Sequence, residues 1–108
     1  MDPERARELL TAERRRIEAA LSRLGHRDTG EEADDQDPVN LAADLYRDEF
    51  DEGLADDLRE ELAAVDRAEA RLAAGTYGVS IESGKPISDE RLEAVPTAER
   101  TAEEEAHR

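Results

Sequence analysis

Large apolar residues near the start of the chain recur at every seventh position. The stripe consists of Leu10, Ile17 and Leu24, with Ala6 and Ala20 between them. This spacing is typical of an amphipathic helix that packs along a narrow seam. Asp2 followed by Pro3 favours a helix start, because a capping side chain precedes a proline in the first turn. Gly25 is expected to end this helix.

A second and longer stripe begins after Asp37 and Pro38, which repeat the pattern of a cap followed by a proline. Its large apolar residues are Leu41, Leu45, Phe50, Leu54, Leu58, Leu62, Val65 and Leu72. The stripe predicts a helix from Pro38 to Ala74. Residues 1–74 are therefore expected to form a long antiparallel helical hairpin, or coiled coil.

The segment between the two stripes, HRDTGEEADDQ, contains no large apolar side chain. It predicts an acidic loop at the tip of the hairpin, near residues 26–37. A solvated linker without a function is the simpler interpretation of the same residues.

The pattern changes again at Gly75. Val79 and Ile81 alternate with polar residues before a Ser-Gly pair, which predicts a short β-hairpin. Two further helices are expected: a short one through Leu92 that Ser88 or Asp89 caps, and a last one entered through Pro96. Residues 75–108, called the module below, are therefore expected to form a second, small domain. The fold class is mainly α.

Composition excludes several classes of binding partner. The chain of 108 residues carries a formal net charge of −15 and has no cysteine. This charge argues against direct binding to nucleic-acid phosphates and against binding to an anionic membrane surface. It favours a basic protein groove as the partner. Disulfides and thiolate metal ligands are excluded. No apolar run is long enough to span a bilayer and the N-terminus lacks a signal-peptide core, so we expect a cytoplasmic protein.

The stretch LAAGTYGVSIESGKPISDERLEAVPTAERTAEEE resembles the C-terminal module of the bacterial DksA/TraR family of RNA polymerase-binding transcription regulators. The family pattern is Gly-x-Tyr-Gly-x-Cys-x-x-Cys-Gly-x-x-Ile, then Arg-Leu-x-Ala-x-Pro-x-Ala-x-x-Cys-x-x-Cys. The matching positions are Gly75, Tyr77, Gly78, Gly84, Ile87, Arg91, Leu92, Ala94, Pro96 and Ala98. The segment DQDPVNLAADLYRDEFDEGL is similar to the start of the family's returning helix, so the resemblance covers residues 35–104.

The resemblance places the four family cysteines, which bind zinc, at Ser80, Ser83, Thr101 and Glu104. Neutral hydroxyls are poor zinc ligands, so we expect a degenerate zinc finger without metal or other cofactor. Its core residues are predicted to be Tyr77, Gly78, Ile87, Arg91, Leu92 and Pro96. Burial of Val79, Ile81, Ile87, Leu92 and Val95 against the helix near Leu72 is expected to hold it. A partly disordered remnant of a zinc finger is the alternative.

Family members insert their hairpin into the secondary channel of RNA polymerase, and the tip carries the motif Asp-x-x-Asp-x-Ala. The corresponding residues here are Asp37, Asn40 and Ala42, so the second acid is an amide. Asp34 and Asp35 precede the motif and offer replacement charge. The resemblance therefore implies a polymerase-facing tip formed by Asp34, Asp35, Asp37, Asn40 and Ala42.

These observations favour a monomeric transcription regulator that binds RNA polymerase and contacts neither DNA nor a membrane. An enzyme is not expected, because the sequence offers no nucleophile–base set. The alternative is a structural or adaptor coiled-coil protein that has lost polymerase binding. The direction of regulation, the target promoters and the co-binding of a nucleotide alarmone are left open.

Overall fold

The computed structural model describes residues 1–27 and 38–108, with side chains described for residues 1–24 and 52–108. The described residues form four helices: α1 Pro3–Arg27, α2 Pro38–Ala74, α3 Asp89–Ala94 and α4 Ala102–Ala106. This confirms the mainly helical fold class. α1 continues beyond Gly25, where the sequence predicted its end. The rest of the predicted tip loop, residues 28–37, lies outside the described residues.

One compact unit comprises Met1–Arg15 and Ala63–Arg108. In it the first turns of α1 pack against the last turns of α2. The fully buried residues at this seam are Ala6, Leu10, Val65 and Ala68, each with 0% exposure. The guanidinium group of Arg14 pairs with the carboxylates of Asp66 and Glu69 beside the seam. The seven-residue stripe thus buries its apolar side and leaves charged side chains along the rim.

The second compact unit comprises Arg16–Leu62. Its buried apolar residues are Ile17, Leu24 and Leu58. An ion pair of 2.9 Å joins Arg16 to Glu61. Leu54 is 39% exposed. The predicted apolar positions Leu41, Leu45 and Phe50 lie where side chains are not described.

The module contains α3 and α4 but, within the described ranges, no β-strand, so the predicted β-hairpin is wrong. A single antiparallel bridge joins Val79 and Pro86. The backbone N–H of Ser80 donates to the carbonyl of Lys85 at 2.8 Å, and the N–H of Gly84 donates to the carbonyl of Ser80 at 3.0 Å. Residues 80–85 therefore form a tight turn, called the serine turn below. Only one bridge flanks this turn, which is too few for paired β-strands.

Of the two helix starts in the module, the first agrees with expectation and the second does not. α3 begins at Asp89, and the hydroxyl of Ser88 caps it by accepting a hydrogen bond from the N–H of Arg91 at 3.2 Å. The last helix does not begin at Pro96. It begins at Ala102, because Thr101 supplies the cap.

The apolar cluster of the module consists of Ile87, Leu92 and Ala98, with Met1 and Tyr77 packed against it. Burial of Ile87 and Leu92 agrees with the sequence. Burial of Val79, Ile81 and Val95 was predicted wrongly, because these residues are 36%, 51% and 42% exposed. Ser80, between Val79 and Ile81, is the buried residue of the three, at 4%. Buried and exposed residues do alternate here, but the polar residue is the buried one.

No helix in the described part of the chain is long and apolar enough to cross a membrane.

Candidate functional site

Four polar positions converge in the module. They are Ser80, Ser83, Thr101 and Glu104, called the carboxylate cluster below. Ser80 and Ser83 lie close enough to the carboxylate of Glu104 to lower its pKa. The backbone N–H of Thr101 donates to Oε1 of the same carboxylate at 2.9 Å. The positions at which the family has zinc ligands therefore lie in one part of the module.

The hydroxyl oxygen of Ser80 accepts hydrogen bonds from within the serine turn. The donors are the backbone N–H groups of Glu82 at 3.1 Å and Ser83 at 3.3 Å. A serine hydroxyl has two acceptor lone pairs and one hydrogen to donate. The two N–H groups occupy the lone pairs. These hydrogen bonds help a polar residue to be tolerated at a buried position.

The N-terminus of α4 holds the other side of the cluster. Thr101 Oγ1 accepts a hydrogen bond from the N–H of Glu104 at 3.1 Å, and Glu104 returns one to the N–H of Thr101, which makes a capping box. Hydrogen bonds from Ser80, Ser83 and Thr101 lower the pKa of Glu104 to about 2. The side chain is therefore an anion at neutral pH.

This donor set does not fit a structural zinc. Such a site requires four thiolate, imidazole or carboxylate ligands, whereas the cluster offers three neutral hydroxyls and one carboxylate. Both lone pairs of Ser80 are already taken by N–H donors. No group of three or more His, Cys, Asp or Glu side chains suited to a metal occurs among the described residues. His107, three residues after Glu104, is exposed at the C-terminal end of α4.

The structure brings together the residues predicted as the module core, Tyr77, Gly78, Ile87, Arg91, Leu92 and Pro96. The hydroxyl of Tyr77 donates to the carbonyl of Pro96 at 2.8 Å. The N–H of Ile87 donates to the carbonyl of Gly78 at 2.8 Å. The Nε of Arg91 donates to the carbonyl of Arg100 at 3.0 Å. Polar contacts thus surround the apolar cluster.

Ion pairs attach the module to both long helices. These ion pairs were not predicted from the sequence. Glu99 accepts hydrogen bonds from Nε of Arg67 at 3.1 Å and from Nη1 of Arg71 at 3.0 Å. Burial raises the pKa of Glu99, but hydrogen bonds and charge from the two arginines lower it further than burial raises it. The only signal in the sequence was the four-residue spacing of Arg67 and Arg71, which places both on one helix face.

A second attachment joins α1 to α3. The guanidinium group of Arg5 donates to both carboxylate oxygens of Glu93, at 2.9 Å and 2.8 Å. These bonds lower the pKa of Glu93 and raise the pKa of Arg5. Both side chains are about half exposed, so solvent screens this pair.

The structure does not describe the side chains of the predicted polymerase-facing tip. Asp34, Asp35 and Asp37 lie outside the described residues. Asn40 and Ala42 lie in α2, in the part where only the backbone is described. Their role stays a prediction.

The chain is similar to curated proteins and to solved structures, and no family model matches it. The chain is 42% identical over 69 residues to the uncharacterized protein YteA of Bacillus subtilis, covering 64% of this chain and 29% of that protein. It is 34% identical over 97 residues to general stress protein 16O of the same organism, covering 90% and 58%. The chain therefore spans less than two thirds of the length of each curated relative.

A similar solved structure is that of transcription factor DksA2 from Pseudomonas aeruginosa. The TM-score is 0.83 at 28% sequence identity, and the match covers 97% of this chain and 81% of that one. Because the likeness extends over nearly the whole chain and agrees with the sequence motif, the protein has a DksA-like fold, which confirms the resemblance found in its sequence.

Proposed function

We propose that this protein regulates transcription by binding RNA polymerase as a monomer, without contacting DNA itself. The observation that carries the proposal is the likeness to a solved transcription factor over 97% of the chain. The motif that matches the DksA/TraR family supports the same function, since members of that family bind the polymerase. The proposed route is the secondary channel of the polymerase, which the helical hairpin of the family enters.

Charge supports this route. The chain has 30 acidic and 15 basic residues. An acidic protein is repelled by nucleic-acid phosphates and attracted by a basic protein channel. Electrostatic attraction accelerates encounter more than it slows dissociation. The association rate with polymerase should therefore fall clearly as the salt concentration rises, while the dissociation rate changes less.

Surface-immobilised bacterial core polymerase and the purified protein test the proposal directly. Saturable binding at moderate salt, with a salt-dependent association rate, is expected. Absence of saturable binding at every salt concentration would refute polymerase binding and favour the adaptor coiled-coil function. Binding whose association rate ignores salt would refute the electrostatic route alone.

The tip requires a separate experiment, because it concerns regulation after binding. Asn40→Asp restores the second acid of the family motif, and Asp37→Ala removes the first. If the tip acts near the catalytic centre, the two variants should change transcription in opposite directions at concentrations that saturate the polymerase. Asp57→Ala, which removes an exposed acid elsewhere on α2, is the control and should match the parent. Identical transcription by all four proteins would exclude a regulatory role for the tip.

A further inference from the structure

The module is joined covalently to the rest of the chain at one point, where the backbone leaves α2. The N–H of Gly75 donates to the carbonyl of Leu72 at 3.2 Å, and the N–H of Thr76 donates to the carbonyl of Arg71 at 2.9 Å. Together with a φ of 78° at Gly75, these bonds end the helix in a Schellman motif. Residues 73–76 are exposed, and a Cβ at Gly75 would meet nothing within 4 Å. Contacts elsewhere in the module must therefore fix its direction relative to α2.

Hydrophobic burial contributes little to this attachment. The apolar cluster of the module and the described side chains packed against it are Ile87, Leu92, Ala98, Met1 and Tyr77. Of these five residues, only Met1 lies outside residues 75–108. The buried residues near the end of α2, Val65 and Ala68, pack at the seam with α1. The module and the two long helices therefore have separate apolar cores.

Polar contacts instead join the module to the long helices. The carboxylate of Glu99 accepts hydrogen bonds from Arg67 at 3.1 Å and from Arg71 at 3.0 Å. This contact of three side chains is called the Glu99 clasp below. Arg71 and Glu99 are mostly buried, whereas the pair of Arg5 and Glu93 is about half exposed and is screened by solvent. The Glu99 clasp is therefore the stronger of the two attachments.

We infer that the module is a movable unit, which the Glu99 clasp holds against α2 and which turns about residues 75–76 without unfolding when the clasp opens. The backbone around Glu99 is bound into the module independently of the clasp. The carbonyl of Glu99 accepts a hydrogen bond from the N–H of Ile81 at 2.8 Å. The next carbonyl, of Arg100, accepts one from Nε of Arg91 at 3.0 Å. Opening the clasp breaks neither bond, so the module keeps its own contacts.

The clasp gives the docked arrangement only a limited advantage. Hydrogen bonds between charged groups are strong, but burial of the charges opposes them. Nη2 of Arg71 is also buried and has no hydrogen-bond partner among the described residues, which adds a further cost. Proteins open first where the fewest buried apolar contacts are lost. Separation at the clasp should therefore precede unfolding of the module.

Paired spin labels on the full chain measure this movement by electron paramagnetic resonance. Because the chain has no cysteine, Ala12→Cys in α1 and Glu90→Cys in α3 introduce unique labelling sites at exposed positions. This pair should give one narrow distance distribution. Glu99→Gln should add a second, broader population, about tenfold or more above its level with Glu99 present, as the loss of hydrogen bonds to a charged group predicts. An unchanged distribution would overturn the inference.

A second pair of labels distinguishes turning from unfolding. Glu90→Cys and Glu103→Cys place both labels inside the module, at exposed positions of α3 and α4. Their distance distribution should stay narrow in Glu99→Gln, because the backbone hydrogen bonds of residues 99–100 are kept. If this distribution broadened as well, the module would have unfolded instead of turning, and the inference would fail.

Glu82→Gln is the matched control, because it makes the same chemical change at a carboxylate that pairs with Arg100 inside the module, at 2.8 Å. It should leave the distribution of the first label pair unchanged. An effect as large as that of Glu99→Gln would show that the loss of any carboxylate in the module releases it, which contradicts a specific role of the clasp.

A double-mutant cycle tests the partner of Glu99. Arg71→Gln removes the less exposed arginine of the clasp and should also increase the broad population. Combined with Glu99→Gln it should add little, because both changes break the same hydrogen bond. Fully additive effects would show that the two residues act separately and would overturn the inference. Since the readout is a distance within the protein, the outcome does not depend on whether the protein binds polymerase.

Discussion

The hydroxyl of Tyr77 donates a hydrogen bond to the backbone carbonyl of Pro96 at 2.8 Å. This bond joins a residue three positions after the end of α2 to the segment between α3 and α4. Pro96 is buried and Tyr77 is half-buried. Burial raises the pKa of Tyr77, while the charge of Arg71 lowers it by less. The phenol therefore stays protonated and remains a donor well above neutral pH.

Removing this hydroxyl tests how far polar contacts hold the module. Tyr77→Phe keeps the ring but leaves the buried carbonyl of Pro96 without this donor. The free energy of unfolding should fall by about 1–3 kcal/mol, measured by urea unfolding. Tyr77→Leu, which also loses ring packing against the apolar cluster, should cost more. A Tyr77→Phe protein as stable as the parent would show that water replaces the hydroxyl.

The contact of Glu99 with Arg67 and Arg71 predicts an acid-sensitive module. Arg71 is 15% exposed and Glu99 is 21% exposed. Nη2 of Arg71 is buried and has no hydrogen-bond partner among the described residues, so Glu99 is the principal counter-charge described for this guanidinium group. Glu99→Gln should lower the free energy of unfolding by about 1.5–3 kcal/mol at neutral pH, as expected for hydrogen bonds to charged groups.

The sign of the pH dependence follows from the lowered pKa of Glu99. Its pKa lies below the ordinary value of 4.5 in the folded state. Stability from this carboxylate is therefore fully present above about pH 4.5 and is lost as the pH falls through the folded pKa. The stability of Glu99→Gln should depend less on pH in this range. Glu103→Gln, at an exposed position on α4, should retain the parent's dependence, and equal slopes for all three would contradict the assignment.

The two long helices could be predicted from sequence, whereas the closure of the module could not. Leu10, Ile17 and Val65 are buried as their seven-residue spacing indicated, because periodic burial on a helix is a local property of the chain. Ser80 faces inward in a turn that is joined to the distant carbonyl of Glu99 through the N–H of Ile81. Local alternation of Val79 and Ile81 carried no information about that contact and indicated the wrong face.

Part of the carboxylate cluster could nonetheless be predicted from the sequence. A threonine followed three residues later by a glutamate is the pattern of a capping box, and Thr101 and Glu104 have this spacing. The pattern places the last helix after Thr101, as observed. What the sequence alone could not reveal is that Ser80 and Ser83 lie close enough to this carboxylate to lower its pKa.

A pair of glycines should respond to the same substitution with opposite signs. Gly78 has a φ of 88°, and a Cβ there would lie 3.7 Å from Leu92 Cδ1, which is an ordinary contact. Gly78→Ala should therefore destabilise mainly through backbone strain, by about 1–2 kcal/mol. Gly53 lies inside α2, and an added Cβ would meet nothing within 4 Å. Gly53→Ala should stabilise by about 0.5–1 kcal/mol.

Urea unfolding followed by circular dichroism measures both effects. The comparison is internally controlled, because the side chain added is the same methyl group. Destabilisation by Gly53→Ala would show that α2 does not tolerate a side chain at this point. A neutral Gly78→Ala would show that the start of the module relaxes to a conformation open to any residue.

Restoring cysteine at all four positions of the carboxylate cluster should restore a zinc site. Ser80→Cys, Ser83→Cys, Thr101→Cys and Glu104→Cys together place thiolates where the family has them. The structure already joins the two segments that carry these positions through hydrogen bonds from Ile81 to Glu99 and from Arg100 to Glu82. Tetrahedral four-thiolate coordination is the usual structural zinc site. Such a site contributes on the order of 10 kcal/mol when binding is coupled to folding. The variant should bind one zinc per chain and lose stability in chelator.

The parent protein supplies the comparison. It should contain no stoichiometric zinc after purification without added metal, and its unfolding curve should be unchanged by chelator, because its donors do not fit the ion. Cobalt substitution of the four-cysteine variant offers an independent readout, since tetrahedral thiolate coordination gives a characteristic visible absorption. A variant that folds but binds neither metal would show that the segments no longer approach as closely as a metal requires. Zinc in the parent at one equivalent would show that the hydroxyl-bearing positions bind metal after all.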